Sequence, residues 1–171
     1  GGSCASTEDL FVEVYPSTSM CASDHVTMNF GVDYVTKNNL GGEGPDTEDE
    51  EMLRIDMIGT TSTGSYIALE IRALTAYTPN KADHNGRGNG FTQINLMTGT
   101  CTLFEFAFST AAGPATLGEF YFSLFDLDSA PNGGGYESVS IDPGSYAAIM
   151  LTDTTELSVT NAADGRRITV S

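Results

Sequence analysis

The feature that most constrains this chain is side-chain alternation with a period of two. In Met52 to Ile58, Leu53, Ile55 and Met57 fall on one side and Arg54 and Asp56 on the other. In Ser65 to Tyr77, Ile67, Leu69, Ile71 and Ala73 alternate with Ala68, Glu70, Arg72 and Leu74, and the tail of this run is expected to bend or bulge. In Thr102 to Ser109 the rings of Phe104, Phe106 and Phe108 share one face. A strand sends successive side chains to opposite faces, so each run offers one side to a core.

Further strand candidates are Leu10 to Tyr15, His25 to Val35, Phe91 to Met97, Glu119 to Leu127, Glu137 to Ile141, Ala147 to Leu151, Glu156 to Thr160 and Arg167 to Val170. Each is bounded by Gly, Pro, Asn, Asp or Ser. Glu119 to Leu127 is apolar on both sides, which predicts a central strand covered on both faces. No helical stretch is long enough for a crossover, so the strands should pair antiparallel. The expectation is a single all-β domain over residues 1–171, an antiparallel β-sandwich of the jelly-roll or immunoglobulin-like kind with about ten strands. A closed barrel is the second choice, since closure also removes edge strands.

Composition narrows the partners. The 171 residues hold 23 acids against 7 bases, for a net charge of -16. That field repels phosphate backbones and anionic lipids, so nucleic acid is not an expected partner, and self-repulsion favours a monomer in isolation. No apolar run approaches the roughly 20 residues of a spanning helix. The chain opens on Gly1, Gly2 and Ser3 without an apolar signal core, which reads as a start produced by processing or by design and is compatible with export. Of the three cysteines, Cys4 and Cys21 bracket a short segment and are expected to pair in an oxidising compartment, leaving Cys101 as a buried thiol in an apolar strand.

Three loops carry the polar chemistry. Lys37 to Glu51 packs Asp46, Glu48, Asp49, Glu50 and Glu51 behind a Gly-Pro turn. Mutually repelling acids predict a solvated, mobile loop; the sharper readings are a weak divalent-cation site or a docking surface for a basic partner through Glu48, Asp49, Glu50 and Glu51. Thr78 to Gly90 holds His84 and Arg87 among Asn and Gly turn residues, a structural loop that also offers a partner contact. Asp126 to Glu137 places Asp126, Asp128, Asn132 and Glu137 at the first, third, seventh and twelfth positions of a calcium loop. Ala130 and Pro131 occupy the fifth and sixth, so it is no EF-hand. It reads either as a Ca2+ site on a β loop or as an Asx-type turn.

Enzyme signatures are weak. His25 and His84 are the only histidines, and neither CxxC nor HExxH occurs. There is no G-x-S-x-G elbow and no glycine-rich cradle leading into a helix. A Cys101 and His84 dyad would need a base beside a thiol inside an apolar strand. Glu70, Glu105 and Glu119 form a conceivable glycosidase set, although carboxylates on strands more commonly face solvent.

The segments Thr75 to Leu96 and Tyr121 to Ile141 resemble a poorly characterised β-domain found in predicted proteins of dinoflagellates and other marine algae. The resemblance lies in Phe125 to Asp128 (FDLD), the turn Pro131 to Gly133 (PNG) and Glu137 to Val139 (ESV), and covers about 40% of the chain. It supplies no activity and no catalytic residues. What it implies is an extracytoplasmic domain, secreted, at the cell surface or in a plastid lumen. The leading functional expectation is therefore a non-catalytic structural or interaction module without cofactor that binds other proteins. Its specific form is a peripheral lumenal subunit of an algal photosynthetic membrane complex. The alternatives are calcium-dependent carbohydrate binding or adhesion at the Asp126 to Glu137 loop, where Tyr136 and Tyr146 must serve as sugar platforms because the chain lacks Trp, and a jelly-roll glycoside hydrolase.

Overall fold

The computed structural model describes residues 28, 30, 34–86, 90–118, 120–124, 127, 137–141, 146, 148–149, 151, 153–155, 157, 159–161 and 168–170. The chain divides into two compact units, one of Ala22–Phe120 and one of Gly1–Cys21 with Tyr121–Ser171. The described residues are mostly β and contain no α-helix; 3-10 turns lie at Leu40–Gly42 and Ala82–His84.

The larger unit is built on an antiparallel sheet of β1 (Val35–Asn38), β2 (Leu53–Thr60), β3 (Tyr66–Ala73), β4 (Phe104–Thr110) and β5 (Gly113–Ala115), in sequence order across the sheet. The sheet is open rather than a closed barrel, with β1 and β5 at its edges. Alternation works as expected along β3, where Ile67, Leu69 and Ile71 are fully buried. Opposite them on β4, Phe108 pairs with Leu69, Phe106 with Ile71 and Phe104 with Ala73. The three phenylalanines thus share the core face, although Phe106 is 38% exposed.

In β2 the pattern breaks. Leu53 and Ile55 are buried, but Met57 is 44% exposed and Ile58 is buried instead. Ile55 pairs with Leu69 and Gly59 with Ile67, so Asp56, Met57 and Ile58 together oppose Ala68. Met57 adopts a left-handed φ of 52°, which turns its side chain out and Ile58 in. A second irregularity falls in β1, where Val35 pairs with Ile55 and Lys37 with Arg54, leaving Thr36 as the extra residue.

The core lies between one face of this sheet and the segments laid over it. Leu40, Leu53, Ile55, Ile58, Ile67, Leu69, Ile71 and Tyr77 form its buried centre, with Met28, Phe30, Ile94 and Leu117 packed around them. Burial of each such aliphatic side chain contributes roughly 1.5–3 kcal/mol. Tyr77 and Phe104 meet edge to face at 5.7 Å between ring centres, and Phe108 meets Phe120 the same way at 5.2 Å.

Several strand expectations are corrected. Phe91 to Met97 is irregular, because its backbone bonds to loops rather than to a neighbouring strand: Gly86 N–H donates to the Gln93 carbonyl at 2.8 Å and Met97 N–H to that of Thr78 at 2.9 Å. The described part of Glu119 to Leu127 is not strand either, and Phe120 and Tyr121 are exposed rather than covered. The described residues of Ala147 to Leu151 are likewise irregular. The short β5 was not anticipated. Leu10 to Tyr15 and most of His25 to Val35 lie outside the described residues; Phe30 forms an isolated bridge to Gly90.

In the smaller unit β6 (Val139–Ile141), β7 (Val159–Asn161) and β8 (Ile168–Val170) make a three-stranded antiparallel sheet with β8 in the middle. Val170 pairs with both Val139 and Val159, and Ile168 with both Ile141 and Asn161.

Both described edges of the five-stranded sheet are interrupted. On β1, the outward N–H of Asn38 donates to Asp46 Oδ2 at 2.8 Å, and its carbonyl accepts the Asp46 N–H at 3.0 Å. On β5, Pro114 has no N–H to offer.

Candidate functional site

Two of the loops picked out in the sequence meet at the β1 end of the core, held by asparagines. Asn39 is buried between them and the sheet. Its Oδ1 accepts the Gly44 N–H at 3.0 Å, its Nδ2 donates to the Asp49 carbonyl at 2.7 Å, and its backbone N–H donates to the Met52 carbonyl at 2.9 Å. One carboxamide therefore ties both limbs of the acidic loop together. Leu40, fully buried, plugs the loop into the core. Gly41, at φ 63°, lies so close to Tyr77 that an added Cβ would stand 2.8 Å from the Tyr77 Cβ.

The acidic loop is therefore pinned, which corrects the expectation of a mobile one. Fixed hydrogen-bond partners and a buried leucine outweigh the mutual repulsion of solvated acids, which high-dielectric water largely screens.

The second loop is attached by Asn85. Asn38 Nδ2 donates to the Asn85 carbonyl at 3.1 Å, across 47 residues of sequence. Asn85 Oδ1 accepts the Asn95 N–H at 2.8 Å and lies 3.0 Å from the Tyr77 hydroxyl, which is also 2.7 Å from the Asn95 carbonyl. A phenol has one proton, so the two oxygens share it. Burial, the chief cause, pushes the Tyr77 pKa up. Gly86, at φ 74°, has no room for a side chain, since an added Cβ would stand 2.8 Å from Val35 Cγ2.

A chain of alternating charges covers the opposite face of the sheet. Lys37 reaches Glu50 at 3.2 Å, Glu50 reaches Arg72 at 2.8 Å, and Arg72 lies 3.6 Å from Glu70. Glu70 pairs with Arg54, and Arg54 contacts Asp56 at 2.9 Å. Thr36 then donates to Asp56 Oδ2 at 2.9 Å. The chain thus starts and ends on adjacent residues of β1, because the extra residue there lets Thr36 and Lys37 face the same side. The Arg72 hydrogen bond, and then that of Lys37, hold the Glu50 carboxyl below its ordinary pKa.

The expected partner-binding residues separate accordingly. Glu48, Asp49 and Glu51 are exposed on the pinned loop. Glu50 is turned back to the sheet by its two cations. His84 is half-buried at the end of its 3-10 turn, next to the buried Asn85, and Arg87 lies outside the described residues. Of the expected calcium ligands, Asp126, Asp128 and Asn132 lie outside the described residues, and Glu137 is exposed just before β6. Among the described residues no three His, Cys, Asp or Glu side chains gather as metal ligands would.

Cys101 is exposed and disulfide-bonded, not the buried thiol expected, and a sulfur so bonded is no free nucleophile for a dyad with His84. Cys4 and Cys21 lie outside the described residues, but with only three cysteines in the chain a bonded Cys101 leaves no Cys4–Cys21 pair, which corrects that expectation. Of the glycosidase set, Glu70 is held by two arginines, Glu105 is exposed on β4, and Glu119 is outside the described residues.

Sequence reasoning missed the asparagines. The signal available was three of them, Asn38, Asn39 and Asn85, beside Leu40 and Gly86 in segments otherwise read as solvated turns. Compared with models of known families, with curated proteins and with solved structures, the chain matches none.

Proposed function

We propose that this chain is a non-catalytic interaction module of an extracytoplasmic compartment, and that it docks a basic partner through the acidic loop. The observation that carries this reading is the Asn39 carboxamide, which fixes the loop at Gly44 and Asp49 while Glu48, Asp49 and Glu51 remain exposed. A fixed acidic surface loses little conformational entropy on binding, and its charge steers a basic partner toward it. Antiparallel strands with one apolar and one charged face support the β-sandwich as the full architecture. The algal resemblance adds the specific form, a peripheral lumenal subunit of a photosynthetic membrane complex.

The test must separate the loop from bulk charge. Retention on a lysine-rich peptide column should fall for the double variant Glu48→Gln, Asp49→Asn. It should hold for the charge-matched double variant Glu105→Gln, Asp153→Asn. Equal loss in both would mean that net charge alone binds the column, and the loop reading would go. Native extraction that keeps the chain in a large membrane particle would support the subunit form; recovery only as a free 18.1 kDa species would reject it.

A further inference from the structure

The charged face of the sheet is uneven. Arg54 and Glu70 stand up from β2 and β3, while Ala107, Ser109 and Pro114 on β4 and β5 are short, and the step between them leaves an open hollow of about 350 Å³. That volume lies at the small end of the roughly 300–1,000 Å³ of small-molecule sites.

Its polar wall mixes donors and acceptors. Arg54 Nε and Nη2 are each 2.9 Å from Asp56 Oδ1, and its Nη1 serves Glu70 Oε1 and Ser109 Oγ, the latter at 3.2 Å. A guanidinium has five N–H groups, so one Nη2 proton remains. Ser109 donates to Glu70 Oε1 at 2.8 Å, whereas Glu70 Oε2 has only the 3.6 Å approach of Arg72 and keeps accepting capacity. The Thr110 hydroxyl accepts the Ala112 N–H at 3.3 Å and retains its own proton.

The two charged side chains that line the hollow, Arg54 and Glu70, cancel, and the ion-pair chain they belong to sets Lys37, Arg54 and Arg72 against Glu50, Asp56 and Glu70. An anion there would face the open side of Glu70 and the field of a chain carrying -16. A cation would find each carboxylate's charge already neutralised by an arginine or lysine, so that only the hydrogen-bonding capacity of Glu70 Oε2 is left. The ligand that fits is neutral, carries hydroxyls that both donate and accept, and has an apolar side for Ala107 and Pro114. We propose that this hollow is a calcium-independent site for a neutral carbohydrate ring. It is separate from the acidic loop and stands or falls independently of the docking proposal.

The test is an amide-shift titration of the full isotope-labelled chain with glucose, galactose, mannose and N-acetylglucosamine, each with and without chelator, and with inorganic phosphate in parallel. The expected result is saturable shifts at Glu70, Ala107, Ser109, Thr110 and Gly113 with at least one sugar, unchanged by chelator. Thr110→Val should weaken that binding about fivefold, as the loss of one hydrogen bond does; should it perturb the fold, Ser109→Ala, which removes the hydroxyl that orients Glu70, should weaken it as well. Silence of these amides toward every sugar at millimolar concentrations would overturn the proposal. So would phosphate shifting them where no sugar does, or affinity unchanged in both variants.

Discussion

Asn38 donates its side-chain N–H to the backbone carbonyl of Asn85 at 3.1 Å, joining the first strand of the sheet to a loop 47 residues away. Asn85 in turn accepts the backbone N–H of Asn95. Replacing Asn85 with Ala leaves that N–H without its acceptor in a partly buried position. Asn85 Nδ2 has no partner among the described residues, so its removal offsets part of the cost. We expect a loss of about 1–3 kcal/mol in urea denaturation, with a smaller loss for Asn39→Ser, which keeps a hydroxyl near the loop.

Gly86 and Gly64 form a controlled pair. Both have left-handed φ, 74° and 81°, but a Cβ on Gly86 would stand 2.8 Å from Val35 Cγ2 and 3.0 Å from Leu53 Cδ1, whereas at Gly64 it meets open space. Gly64→Ala should cost about 1 kcal/mol from backbone strain alone. Gly86→Ala should cost about 1–3 kcal/mol more by overpacking the core, read from the difference in denaturation midpoints.

Tyr77 predicts alkaline behaviour. Its pKa is raised by burial, so the folded state disfavours the phenolate. Its contribution to stability is complete below the ordinary tyrosine pKa and is lost as pH rises through the raised folded value. An ultraviolet titration should show a late-ionising tyrosine, and Tyr77→Phe should remove that late step.

Glu50 predicts the acid side. With its pKa lowered chiefly by Arg72, its contribution is present above the ordinary Glu value and fades as pH falls through the lowered one. Carboxyl NMR titration should place Glu50 below the ordinary Glu value, and Arg72→Gln should move it back up. No rise in that variant would show that the contact is not kept in solution.

The strands that could be read from the sequence are those with packing on one side only. Arg54, Glu70 and Arg72 could be placed opposite Leu53, Leu69 and Ile71 because a pleated strand leaves no other choice. Met57 was placed with Leu53 and Ile55 wrongly, and Ile58 was missed, since a local insertion moves side chains without altering the composition that suggests a strand. Ile94 was assigned to a strand wrongly: it packs against the core while its neighbours bond to loop groups. The acidic loop was located but its rigidity was not, because that rests on Asn39 and Leu40, residues whose burial depends on contacts distant in sequence. The charged ring was invisible for the same reason; Lys37 and Glu50 meet only after β1 and the loop have closed on each other.

Asp46 holds both outward backbone groups of Asn38, and Pro114 sits on the far strand. Recognition by β-augmentation, in which a visitor's backbone zips onto a host's free hydrogen-bonding rim, is thereby discouraged at both described borders of the larger sheet. The same blocking guards against fibril-like stacking of copies, and leaves side chains, rather than main-chain pairing, as the means by which this unit selects what it touches.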